Sequence, residues 1–299
     1  MRQYLDLLEK IISNGYTREA SRPGLPPTAE LFGETMRFDL SKGFPVLTCR
    51  KMPVKAWMVE LCWLLKGKTT IAYLLDHNVH IWDDDAYRFY KFRGGKLPKE
   101  EWLERAKVTV YDKETRMLYG DLGKVYGYQW RCFNGIWDQI QNLQASLHSN
   151  PNSRRHIVTA WNPMDYNTPG AAALPACHAW FQCNIRHNYF DLMLYQRSCD
   201  MILGVPFDIA EYALLTHLLA KSLGLKPGVF TWVGASCHIY TPHLDVAKKL
   251  ISRKSNLYEL PILNIAKYHY DITDYEPEDF ELIDYNANPA VKAELFTGV

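Results

Sequence analysis

The run Leu174–Tyr212, LPACHAWFQCNIRHNYFDLMLYQRSCDMILGVPFDIAEY, constrains the fold more than any other part of the chain. A cysteine lies between a proline turn and a histidine (Pro175, Ala176, Cys177, His178). A strand-like segment, Tyr189–Tyr195, leads into Gln196, Arg197, Ser198 and Asp200. A Gly204-Val205-Pro206 turn then presents Phe207 and Asp208 at the start of a helix, read over Ile209–Leu223 and closed by Gly224. Any fold for this chain must converge a thiol, a cation, a hydroxyl and two carboxylates. Taken alone, Asp208 is a helix N-cap, a common role for Asp at such a position.

The remaining sequence bounds the class of protein. A chain of 299 residues with 47% hydrophobic content has ample core for one large domain. A formal charge of +1 argues against a general nucleic-acid or membrane-surface binder. The seven cysteines are scattered and odd in number, as expected of reduced thiols in a cytoplasmic protein. No stretch approaches the ~20 apolar residues that span a bilayer, and no signal peptide is expected.

Helices are expected over residues 3–14, 54–66, 138–148 and 243–253, and strands over 31–40, 156–161, 229–233 and 260–265. Residues 19–28 are rich in Pro and Gly and read as a loop. Residues 87–119 are polar and charged and read as a small surface insertion, one helix and a short strand pair. Several residues have two readings. Glu60, the lone acid of the apolar run VKAWMVELCWLLK, is on an exposed face or buried for proton transfer. Trp82 and Tyr126 are core aromatics or site residues. His238 and Tyr240, two apart on a strand, share one face.

Pro-x-Cys-His, Gln-Arg-Ser-x-Asp and Leu-Gly-x-Pro-Phe-x-Ile-Ala-x-Tyr together resemble the signature of the thymidylate synthase family. Further stretches extend the resemblance over nearly the whole chain: Glu60–Gly67, Ile81-Trp82-Asp83, Tyr119–Arg131 and Gly234–Tyr240. The resemblance implies that family's single α/β (α+β) domain, a large mixed sheet flanked by helices, spanning residues 1–299. It implies a homodimer paired through the sheet face, with Arg154 and Arg155 clamping the phosphate of the partner's nucleotide; guanidinium suits such bidentate contacts. Arg22, Gln196, Arg197, Ser198, His238 and Tyr240 are the implied nucleotide contacts. Trp82, Asp200, Leu203, Gly204, Phe207, Lys51 and Val299 are implied around a folate. Cys177, Glu60, Tyr126, His178 and Asp208 are the implied catalytic set.

The implied chemistry starts with a thiolate adding to C6 of a pyrimidine, which makes C5 nucleophilic. Cys177 is the candidate, with Arg197 expected to lower its pKa. The one-carbon unit would come from 5,10-methylenetetrahydrofolate. No metal-ligand spacing is present, and none is needed. The family has Asn where this chain has Asp208, and an Asp there resembles the deoxycytidylate 5-hydroxymethylase branch. Asn pairs with the N3–H and O4 of uracil; a protonated carboxyl pairs with the N3 and N4 amino group of cytosine. A hydrogen-bonding site of this kind rejects the wrong isostere strongly. The exocyclic methylene formed at C5 then takes water, giving 5-hydroxymethyl-dCMP, or hydride, giving a methyl group. Asp85, where the family often has a second Trp, and an altered tail at 285–299 point to a wetter site. dCMP methylation and thymidylate synthesis from dUMP remain alternatives, as does a catalytically silent nucleotide- or RNA-binding relative.

Overall fold

The structure is a computed structural model that describes residues 1–20 and 24–296. Arg22 and Val299 lie outside the described residues. Helix α1 (Arg2–Asn14) buries Tyr4, Leu5, Leu8 and Ile11 along one stripe and stops at Gly15. The short β1 (Tyr16–Arg18) turns into the long β2 (Thr28–Asp39). Helices α2 (Val54–Leu65), α3 (Ala72–Asp76) and α4 (Asp83–Phe92) follow. Next come α5 (Lys99–Lys107) and the hairpin β3 (Tyr111–Asp112) and β4 (Met117–Leu118). Trp102, Tyr90 and Tyr119 pack within this segment, with Trp102 fully buried.

Helices α6 (Tyr126–Arg131) and α7 (Gln139–Ser149) lead to β5 (Ile157–Thr159) and the turn-length α8 (Pro163–Tyr166). Asp138 caps α7 by accepting from the Gln141 amide at 2.9 Å. Then come β6 (His178–Arg186), β7 (Tyr189–Asp200), α9 (Gly204–Ser222) and β8 (Lys226–Tyr240). Helix α10 (Leu244–Ile251) and the pair β9 (Ile262–Ile265) and β10 (Phe280–Ile283) complete the chain before its tail.

The central sheet has the order β1-β2-β8-β7-β6-β5. Every pairing is antiparallel except β7 with β8, which is parallel. A parallel neighbour requires a crossover, and α9 supplies it. That helix is apolar nearly all round and correspondingly buried on nearly all sides. It packs against β7 and β8 with Phe181, Phe190, Phe230 and Trp232 from the sheet. The large mixed sheet flanked by helices in one domain is the architecture the sequence implies.

Three boundaries depart from expectation, and each bears on the site. The Gly204-Val205-Pro206 segment is the first turn of α9 rather than a turn before it. Proline is tolerated there because first-turn N–H groups need no intrahelical acceptor. Asp208 therefore lies beyond the cap position and does not cap the helix. β7 continues past Tyr195 to Asp200, so Gln196, Arg197, Ser198 and Asp200 sit on the strand itself. β8 runs unbroken from Lys226 to Tyr240, joining the expected strand 229–233 to the strand expected to carry His238 and Tyr240.

The candidate active site

The C-terminal ends of the parallel pair β7 and β8 open into a cavity of about 480 Å³. Its walls include Glu60 of α2, Trp82, Tyr126, Cys177 and His178, the β7 residues Gln196, Arg197, Ser198 and Asp200, Leu203, Gly204, Phe207 and Asp208 around the start of α9, and His238 and Tyr240 of β8. A cavity of this size suits a small organic ligand (roughly 300–1,000 Å³).

Cys177 stands just before β6, where the pairing with β7 slips between His178 and Trp180. The bulge lets Ala179 O accept from both Ala160 and Trp161 backbone amides, at 2.8 and 3.1 Å, and turns Cys177 toward the cavity. The Cys177 amide donates to the Tyr126 hydroxyl at 2.9 Å. Arg197 latches this loop: Nε donates to Ala176 O at 2.7 Å and Nη2 to Pro175 O at 2.8 Å. The same Nη2 lies 3.8 Å from Cys177 Sγ. Arg197 favours the thiolate, as expected, but burial outweighs it and the thiol pKa is raised overall. Cys177 is thus a thiol in the free protein.

Asp208 is buried, and its Oδ2 accepts from Gln196 Nε2 at 2.7 Å. Gln196 is fixed in turn by Trp232 Nε1, which donates to its Oε1 at 2.8 Å and so settles which end of the amide faces Asp208. Burial pushes the Asp208 carboxyl up to about 8, with the Gln196 bond opposing and Glu60 and Asp200 adding to the rise. Asp208 is mostly protonated at neutral pH. His178 stacks on Tyr126, ring centroids 3.9 Å apart, and its Nδ1 bonds the Tyr212 hydroxyl at 2.7 Å. Burial lowers the imidazole to about 3, so it is neutral. Its Nε2 lies 4.0 Å from Asp208 Oδ1.

Glu60 accepts from Trp82 Nε1 at 2.7 Å, so Trp82 positions this carboxyl as well as lining the cavity. Burial raises the Glu60 pKa, while hydrogen bonds from Glu211 and Trp82 lower it. Asp200 Oδ1 accepts from the Ile202 and Leu203 amides at 2.9 and 3.2 Å, shaping the turn into α9. His238 Nδ1 pairs with Ser236 O at 3.1 Å, and its ring meets Tyr240 edge-on.

A family model described as thymidylate synthase matches residues 2–297. The chain belongs to the thymidylate synthase family. Family membership fixes the coarse activity: transfer of a one-carbon unit from methylenetetrahydrofolate to a pyrimidine nucleotide. The residues present suit such a donor. Ile81, Trp82, Leu203 and Phe207 offer an apolar wall for a flat heterocycle, and Asp200 offers a carboxylate for its ring donors.

Some expected residues stand apart from the cavity. Lys51 is exposed and does not line it. Arg154 and Arg155 are exposed next to β5, away from the lining, with no ion-pair or hydrogen-bond partner for either guanidinium among the described residues. Other lining residues had no individual assignment, although the tail and Asp85 were expected near the site. The tail contributes Ala293, Leu295 and Phe296, and Phe296 packs on Tyr240 and His243 with centroids 5.2 and 5.0 Å apart. His243 Nε2 bonds Glu294 O at 2.8 Å. Leu25, Leu174 and Pro175 also line the cavity. Asp85 lines it as a buried carboxyl paired with Arg88.

Proposed function

We propose that this thymidylate synthase family member is a dCMP 5-hydroxymethylase, acting as a cytoplasmic homodimer. The observation that carries the reading is Asp208, a buried carboxyl that keeps its proton to about pH 8. Gln196 donates to Oδ2, which leaves the acidic proton on Oδ1. Oδ1–H can donate to cytosine N3 while Oδ2 keeps a lone pair for the N4 amino group. Uracil offers the opposite pattern and would leave buried polar groups unpaired.

Cys177 adds to C6 as the thiolate, in the field of Arg197 3.8 Å away. Methylenetetrahydrofolate, when bound, would supply the electrophilic carbon that C5 takes up; loss of the C5 proton and departure of tetrahydrofolate would then leave an exocyclic methylene on the pyrimidine. Glu60 and the Tyr126 hydroxyl handle protons and ordered water at the ring. Water then adds to the exocyclic carbon, and elimination of Cys177 from C6 restores the aromatic ring. Asp85 supports the water route, because at the wall a polar pair with Arg88 replaces the indole that the family often has there. Ser198 and Arg197 face the nucleotide from this chain, with His238 and Tyr240 on the sugar hydroxyl. Arg154 and Arg155, left without partners, reach the phosphate bound by the second protomer.

Tritium release from [5-³H]dCMP and [5-³H]dUMP, followed by mass analysis of the product, tests the reading. Release from dCMP with gain of a hydroxymethyl group is expected. A methyl product would keep the role of Asp208 and remove the water route. Release from dUMP alone would overturn the assignment.

A further inference from the structure

Glu211 lies one turn beyond Asp208 on α9, on the face turned toward α2. Its side chain is 2% exposed, and the only hydrogen-bond partner it has among the described residues is the Glu60 carboxyl. Its Oε1 is buried without any partner. Two carboxylates cannot bond one another without a proton between them, and a buried uncompensated carboxylate costs several kcal/mol. The groups acting on Glu211 are Glu60 from α2 and Asp208 from its own helix; both are acids, and no cation is among them. Tyr212 beside it is a neutral phenol. Glu60 differs: it reaches the cavity and already accepts from Trp82 Nε1 at 2.7 Å. The proton therefore belongs on Glu211, the deeper and less solvated partner.

We propose that Glu211 is a positioning residue for Glu60: it stays protonated and donates that proton as a hydrogen bond, holding Glu60 ionised and aimed into the cavity. With Trp82 on one side and Glu211 on the other, Glu60 has two donors that fix its plane. The catalytic consequence rests on the reading, given above, that Glu60 works at the pyrimidine ring. Each acid is already one-half of a shared site, so loss of the donor raises the Glu60 pKa and lowers the share of its base form at a given pH.

Two measurements test this. Infrared difference spectra of wild type against Glu211→Gln at pH 9, where Asp208 is mostly ionised, should show loss of one protonated-carboxyl C=O band. Identical protonated-carboxyl signals would overturn the proposal whatever the substrate is. In the pH profile of tritium release, Glu211→Leu should move the acid limb up by about one unit, with about tenfold lower rate below the limb. Glu211→Gln, whose amide still donates, should leave the limb in place. A limb that falls in Glu211→Gln would mean that Glu211 is ionised; an unmoved limb in Glu211→Leu would mean that it only fills space. Either result sinks the proposal. If the wild type releases tritium from no pyrimidine nucleotide, the functional reading fails and the catalytic part falls with it, while the infrared comparison still decides where the proton sits.

Discussion

A carboxyl held at about 8 by burial is a hydrogen-bond donor at neutral pH and an acceptor above it. Turnover of dCMP should therefore fall as pH rises through about 8, on a limb absent from Asp208→Asn. That variant should also reverse the base preference, losing at least about 100-fold on dCMP while gaining dUMP, as competition assays with both labelled nucleotides would show. The same residue has a stability signature. Its folded pKa lies above the unfolded value, so the folded state binds the extra proton and stability declines between about pH 4 and pH 8. Asp208→Asn should accordingly be more stable, with a melting-temperature gain larger at pH 9 than at pH 5. Most of the cavity was legible at this scale, because Cys177, Gln196, Arg197, Ser198, Asp200 and Asp208 occur in one run whose order mirrors a bulge, a strand and a helix start. Glu211 was not legible. Within an Ile-Ala-Glu-Tyr helix it reads as a solvent-facing glutamate, and only its spacing of three from Asp208 hinted at a common face.

Elements place these residues through close backbone approach. Gly127 of α6 packs on α2 so tightly that an added Cβ would meet Leu64 O at 2.7 Å and Leu64 Cα at 3.2 Å. Neither backbone atom can swing aside. Gly127→Ala should cost about 1–3 kcal/mol in urea unfolding. It should also lower kcat more than it raises KM, because the displaced helix carries Tyr126 and with it the hydroxyl bonded to the Cys177 amide. A rise in KM alone would show that the two helices do not share this task. Periodicity found α1, α2 and α7 within a residue or so, since each has a clear apolar stripe or run and two of them a visible stop or cap. It placed the start of α9 too late, because Gly-Val-Pro reads as a turn by composition although proline costs little in a first helical turn. It cut β7 short and left β8 in two pieces for a related reason: Gln-Arg-Ser and Gly-Ala-Ser lack strand-forming residues, and it is pairing with their neighbours that extends the one and joins the other.

For the whole molecule, among the described residues, the long helix α9 packs on one face of the sheet. On the other face Trp180, Met193, Tyr195 and Val233 remain partly exposed, an apolar strip fit for a second copy. If Arg155 serves the partner's nucleotide, two inactive variants should rescue one another. Mixing Cys177→Ser with Arg155→Ala after dissociation and reassociation should restore up to about one quarter of wild-type activity, from mixed dimers with one intact site. No recovery above the sum of the two variants would show that each protomer supplies its own phosphate contacts. The parallel pairing of β7 with β8 has a different consequence. Gln196 meets Gly234 only after the whole of α9 has been spanned, and Glu60 meets the cavity that Phe296 lines from the far end of the described chain. Contacts so distant along the sequence form slowly and late. A partly folded molecule thus has no pocket to offer: nucleotide capture begins only once folding is complete, and regained turnover is a clock for that last step.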